Sequence, residues 1–210
     1  MNYRFPKNMK KLNFLYLFCI LFSFSFSQEF SNKLKNARMG LYVAPAINFI
    51  QTDSKDIETN SKPGVVYGYA LEVALNEFHR LESGFGITYK GGVLNQSQNQ
   101  TIDYKVQYLT VPIFIKMRSR EIGYFNYFAR IGPSINLKIK EMISPNTLNK
   151  TTNPGLIDIS IFIGMEYSLG GKTSVEGSVF FNNNITNALG DNQDPDALFH
   201  QIGLRFGFLF

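Results

Sequence analysis

Seven ionisable residues in this 210-residue chain share an unusual setting. Glu72, Glu82, Lys116, Arg130, Glu166, Glu176 and Arg205 each interrupt a run of apolar, aromatic or small residues, four acids against three bases. Charges of both signs facing one another in a low-dielectric space either pair and close it, or line a polar path for ions and small solutes. Covalent chemistry has poorer support. The bases open to a hydrolase are His79 and His200, and a nucleophile and an orienting acid must converge on one of them. His79 falls in a polar turn, and the position two beyond His200 is Ile202 rather than a serine. The acidic run from Asp191 to Asp196 lacks the sixth-position glycine and closing glutamate of a calcium loop, so it reads as a solvated loop. No catalytic residue, metal ligand or cofactor is expected.

Each of the seven lies where side chains alternate with period two, which puts successive residues on opposite faces of a strand. The end of the chain shows this best. Ile202, Leu204, Phe206, Phe208 and Phe210 fall on one face; Gln201, Gly203, Arg205 and Gly207 fall on the other. The pattern recurs seven times upstream. A first strand is expected over about Met39–Ile50, with Leu41, Val43, Ile47 and Phe49 on the apolar face. A second covers about Val65–Leu75 and a third about Leu81–Gly91. The fourth carries Leu109, Val111, Ile113 and Ile115, and the fifth runs from Phe125 to Ile139. The sixth sets Ile157, Ile159, Ile161 and Ile163 against Asp158, Ser160, Gly164 and Glu166, and the seventh carries Val175, Val179 and Phe181. Short connections (Asn76–His79, about Arg118–Gly123, Gly170–Gly171) alternate with longer polar ones at Gln51–Gly64, Gly92–Asp103, Glu141–Gly155 and Asn183–Ala197.

The N-terminus has a different character. Arg4, Lys7, Lys10 and Lys11 precede an apolar run from Leu12 to Phe26, and Ser25 and Ser27 supply small residues before Gln28. This is the layout of a cleaved signal peptide over residues 1–27, with Met1 or Met9 as its start. The run is shorter than the roughly 20 residues of a spanning helix. The single cysteine, Cys19, and four of the 21 basic residues belong to this segment. The chain beyond it therefore has no thiol chemistry and is nearly neutral, 17 basic residues against 16 acidic ones, which removes the case for nucleic-acid binding.

Eight strands with one greasy and one polar face, short turns on one side and long loops on the other, describe an all-β, eight-stranded, antiparallel, up-and-down transmembrane β-barrel. A soluble barrel would bury the seven charges in its core and leave stripes of Ile, Leu and Phe in water. The expected organisation is a signal peptide (1–27), a short periplasmic lead (28–37) and the barrel (38–210), with both termini periplasmic. Outward aromatics divide into an outer girdle (Phe49, Tyr67, Tyr69, Tyr89, Phe181) and an inner one (Phe125, Tyr127, Tyr167, with Phe208 and Phe210). Phe206, Phe208 and Phe210 form the C-terminal assembly signal that barrel-assembly machinery reads during insertion. An eight-stranded barrel is just wide enough for side chains to fill, so the seven charges are expected to plug the lumen.

The fourth strand carries a resemblance. Tyr108-Leu109-Thr110-Val111-Pro112-Ile113-Phe114-Ile115-Lys116 is similar to the YL-x-(I/V)-P strand of the PorT-like outer-membrane barrels of the Bacteroidetes; Gly132-Pro133 and the Ser27-Gln28 signal end are similar as well. The resemblance spans essentially the whole chain after the signal. It implies a non-enzymatic integral outer-membrane protein, a structural or interaction scaffold of the cell envelope linked to protein secretion or gliding. The alternatives are a small gated pore and, behind it, a lipid A-modifying hydrolase. Expected partners are outer-membrane lipid and lipopolysaccharide, the assembly machinery, and envelope or secretion proteins. Nucleic acid is not among them, and a monomer is expected.

Overall fold

Period-two alternation becomes nine strands and no helix among the described residues, which in this computed structural model are 37–52, 57–96, 100–144, 151–189 and 197–210. The strands are β1 (Arg38–Thr52), β2 (Ile57–Asn60), β3 (Lys62–Ala74), β4 (His79–Gln96), β5 (Gln100–Arg118), β6 (Phe125–Ser144), β7 (Gly155–Gly170), β8 (Thr173–Asn184) and β9 (Ala197–Leu209). The signal peptide, most of the lead and the acidic loop at 191–196 lie outside the described residues.

Every neighbouring pair is antiparallel, in the order β2-β4-β3-β1-β9-β8-β7-β6-β5, and β4 also pairs with β5 to close the sheet on itself. Short β2 pairs with the C-terminal end of β4 and prolongs β3, so the closed wall counts eight strands. Paired positions can be followed once around it, from Met39 through Leu71, Ser83, Ile113, Pro133, Ile159, Asn183 and His200; Ile113 and Pro133 share the register of Pro112↔Ser134 and Ile115↔Ile131. The path returns to β1 at Phe49, ten residues beyond its start. That offset is the stagger which tilts the strands and lets an eight-stranded sheet close. The last residue is zipped in as well: Phe210 N–H donates to the Met39 carbonyl at 2.7 Å, and Met39 N–H donates back at 2.8 Å.

Three connections differ from expectation. β4 continues to Gln96 and β5 begins at Gln100, β6 reaches Ser144, and β2 lies within the stretch read as the first long loop. The reason is an inversion of polarity. At the end of the wall away from the C-terminal residue the inward side chains are apolar, and Ile50, Leu94, Ile102, Tyr104, Val106, Leu156 and Phe199 form a buried cluster. Alternation with the apolar side outward therefore ends before the strands do.

One glycine is required by backbone geometry. Gly84 in β4 has φ +150°, and its register neighbour on β5 is Pro112, which has no N–H to offer. Ser83 Oγ donates instead to the Pro112 carbonyl at 2.9 Å. A Cβ at position 84 would meet the Tyr69 carbonyl oxygen. Gly84→Ala is expected to destabilise the barrel by roughly 1–3 kcal/mol, read from the urea midpoint in detergent micelles; an unchanged midpoint contradicts this.

A charged layer across the lumen as the candidate functional site

Alternation turns the even-numbered side chains of β3, β4, β5, β7 and β8, those of β6 as far as Lys138, and the odd-numbered ones near the end of β9 into the lumen, where eight strands leave room for little else. All seven charges singled out in the sequence point inward and are buried, Glu72, Lys116 and Arg130 completely. Lys116 Nζ lies among three carboxylates and donates to Glu72 Oε1 at 2.6 Å, Glu176 Oε2 at 2.8 Å and Glu166 Oε2 at 2.9 Å. Arg130 bridges Glu82 and Glu176, both at 2.9 Å. Arg205 donates to Glu82 Oε1 at 2.9 Å and stacks on the Tyr42 ring at 4.0 Å.

Sequence reasoning missed one full member of this layer. Arg38 Nη2 donates to Glu72 Oε2 at 2.5 Å and Nη1 to Glu166 Oε1 at 2.7 Å, with Ser174 Oγ completing the contact. Arg80 and Arg118 approach the same layer from its rim, 3.9 Å from Glu72 and 3.3 Å from Glu166. The signal for Arg38 was present, since it continues the inward series Gly40, Tyr42 and Ala44 by one step. With Arg38 counted, four carboxylates face four cations, each of them ion-paired. Oxygen atoms of Glu72, Glu166 and Glu176 lie within 4.8 Å of one another, a spacing that suits a cation; the Lys116 ammonium is the cation that fills it.

Beside the charges lies an aromatic layer that the sequence reading also passed over. Phe114, Phe162 and Phe180 point inward, with ring centroids 5.2 and 5.4 Å apart. Arg130 lies over the Phe162 ring at 5.1 Å. Farther along the lumen Lys90 Nζ donates to Asp158 Oδ2 at 2.5 Å, and Asn136 and Asn184 donate to the same carboxylate at 2.9 and 3.0 Å. A cavity of about 40 Å³ remains between these groups, lined by Arg205, Phe180, Ser160 and Thr88 among others. That is room for water and little more.

The outward residues have simpler surroundings. Tyr67, Tyr69, Tyr89, Phe125, Tyr127 and Phe181 are exposed, while Phe49 and Tyr167 are half-buried. Tyr67 packs on Tyr89, Tyr69 on Phe85 and Phe125 on Tyr167. Phe206 and Phe208 are exposed on the outward face of β9, and Phe210 is exposed just past its end. His200 stacks on Phe181 at 6.2 Å between Phe49 and Asn183. His79 sits at a turn against Asn76 Oδ1 at 3.0 Å.

Residues 26–182 match the family described as "Outer membrane protein beta-barrel domain". Among solved structures, the chain is similar to the outer membrane protein OprG from Pseudomonas aeruginosa, at 9% identity with a TM-score of 0.53, covering 82% of this chain and 95% of that one. It is also similar to a major outer membrane protein from Thermus thermophilus, at 9% identity with a TM-score of 0.49, covering 81% and 99%. Ail of Yersinia pestis matches at 13% identity with a TM-score of 0.42, covering 83% and 99%. No curated protein matches by sequence. At that identity the likeness to OprG speaks to fold alone. The family match spans most of the chain and agrees with the closed, greasy-sided wall, so this protein belongs to the outer membrane protein beta-barrel domain family and is an outer-membrane β-barrel protein.

Proposed function

We propose that this protein is a non-enzymatic, closed barrel that serves as a scaffold in the cell envelope, in the manner of the PorT-like members it resembles. The observation that carries the reading is Lys116, whose ammonium is held by three buried carboxylates at 2.6 to 2.9 Å. A pore for ions or solutes would leave such groups hydrated and separable. Here they are desolvated and paired into ion bridges, and an aromatic layer stands beside them. A lipid A-modifying role has less behind it, because His200 stacks on Phe181 and the residue two beyond it is Ile202.

In this reading both termini lie in the periplasm and a cleaved signal directs export. Phe206, Phe208 and Phe210 guide insertion by the assembly machinery, and the paired aromatics anchor the two membrane interfaces. Partners are envelope or secretion proteins that meet the outer ends of the strands. Two measurements test it. Planar-bilayer recording is expected to show no steady conductance, and large stable openings would overturn the plug. Affinity purification from solubilised outer membranes is expected to retain a stoichiometric secretion or gliding component; recovery of the barrel alone, without any stoichiometric component, contradicts the scaffold.

A further inference from the structure

Toward the outer end of the wall the β3–β4 ladder is interrupted. Paired positions run as far as Val66 opposite Thr88 and resume at Asn60 opposite Val93, and Pro63, which has no N–H, lies in the gap. The Tyr89 carbonyl in that gap accepts from two buried lumen amides, Asn48 Nδ2 at 3.3 Å and Gln201 Nε2 at 3.1 Å. A groove of about 520 Å³ lies here. Its lining includes Lys62, Lys105 and Lys140, contributed by β3, β5 and β6, with Pro63, Tyr89 and Met142 as its apolar side. Lys62 pairs with Asp103, and Lys105 lies 3.7 Å from the same carboxylate. Two ammonium groups thus share one acid, and Lys140 adds a third positive charge to the lining. Lys90 also lines the groove, but its charge is committed to Asp158.

We propose that this groove binds the phosphate of a lipid headgroup in the leaflet around the outer end of the barrel. Alternation turns Tyr89, Lys105 and Met142 to the outside of the wall, each of them exposed. Below them the outward positions become Ile87 and Leu109, paired across β4 and β5, a surface suited to acyl chains. Lysines above a greasy strip, with a cleft between strands, match an amphiphile whose charged end is anionic. A free phosphate would have no use for the apolar strip. The groove's volume falls in the range of small-molecule sites.

Native mass spectrometry of the full protein released from detergent micelles tests this, using bisphosphorylated lipid A, its dephosphorylated form and inorganic phosphate as probes. The unmodified protein is expected to retain one bisphosphorylated lipid and to lose the dephosphorylated one. Millimolar inorganic phosphate is expected to leave the bound lipid in place. The double variant Lys105→Gln/Lys140→Gln is expected to retain roughly tenfold less lipid or below while keeping heat-modifiable migration, the sign of a folded barrel. Equal retention by the variant, equal retention of the dephosphorylated lipid, or displacement by phosphate alone would each overturn the proposal. The comparison of the two lipids on the unmodified protein decides the matter even if the variant folds poorly. A conducting or closed lumen changes none of these outcomes.

Discussion

Lys116→Ala is expected to lower the unfolding free energy of the barrel by about 3–5 kcal/mol, the usual cost of removing one partner from a buried ionic network. Three carboxylates converge on this ammonium, and nothing else in the layer can reach all of them: Arg38 serves Glu72 and Glu166, and Arg130 and Arg205 serve Glu82 and Glu176. Without Lys116, Glu72, Glu166 and Glu176 repel one another at close range in a dry space. The second consequence is hydration, since a vacated, anionic centre draws water into the lumen. The variant is therefore expected to unfold at lower urea than the unmodified protein in the same micelles. In planar bilayers it is expected to show cation-selective openings that the unmodified protein lacks. A compensating Glu176→Gln change on top of Lys116→Ala should recover part of the loss, because one of the uncompensated charges goes with it. Lys116→Ala with an unchanged urea midpoint would mean that the three carboxylates do not depend on the ammonium.

Ile161→Arg is expected to cost roughly 2–4 kcal/mol of folding free energy in lipid, the penalty for a cation at the middle of the hydrocarbon face of a barrel. Ile161 lies on the outward side of β7, opposite Ile131 on β6 and Phe181 on β8, within the series Ile157, Ile159, Ile161 and Ile163. It is 46% exposed, so a soluble protein would gain from a polar residue there. Thr101→Arg serves as the comparison. Thr101 is exposed at the N-terminal tip of β5, opposite Asn95, and the same change there should cost less than about 1 kcal/mol. Refolding into vesicles across a urea series reads both. Equal penalties at the two positions would mean that lipid does not cover the face of β7.

Much of the barrel was legible because period-two alternation is a strong signal when the two faces differ sharply. Along β7 isoleucine alternates with aspartate and serine, along β9 isoleucine, leucine and phenylalanine alternate with glutamine, glycine and arginine, and the strands, their faces and the closed sheet could be read directly. The inward direction of Glu72, Glu82, Lys116, Arg130, Glu166, Glu176 and Arg205 came from the same reading. Their partners did not, because which carboxylate meets which cation depends on the ten-residue offset around the wall and no local pattern carries it. Arg38 was overlooked because it stands at the boundary between the lead and β1. Phe114, Phe162 and Phe180 were passed over because a polar lumen was expected, whereas a narrow barrel also packs apolar groups between its polar ones. The facing ends of β4 and β5 were read as a loop for a related reason: their inward residues turn apolar there, so the contrast that marks a strand elsewhere reverses sign. In β6 a register shift after Lys138 exchanges the two faces, which breaks the alternation near Ser144.

The most direct test of the central claim compares the purified chain with and without an amphiphile. In lipid vesicles or detergent micelles it should give a β-sheet circular dichroism spectrum and migrate faster on a detergent gel before boiling than after. In plain buffer, with Ile163 at 69% exposure among a continuous apolar exterior, it should aggregate. A monodisperse, folded protein in buffer alone would contradict the account.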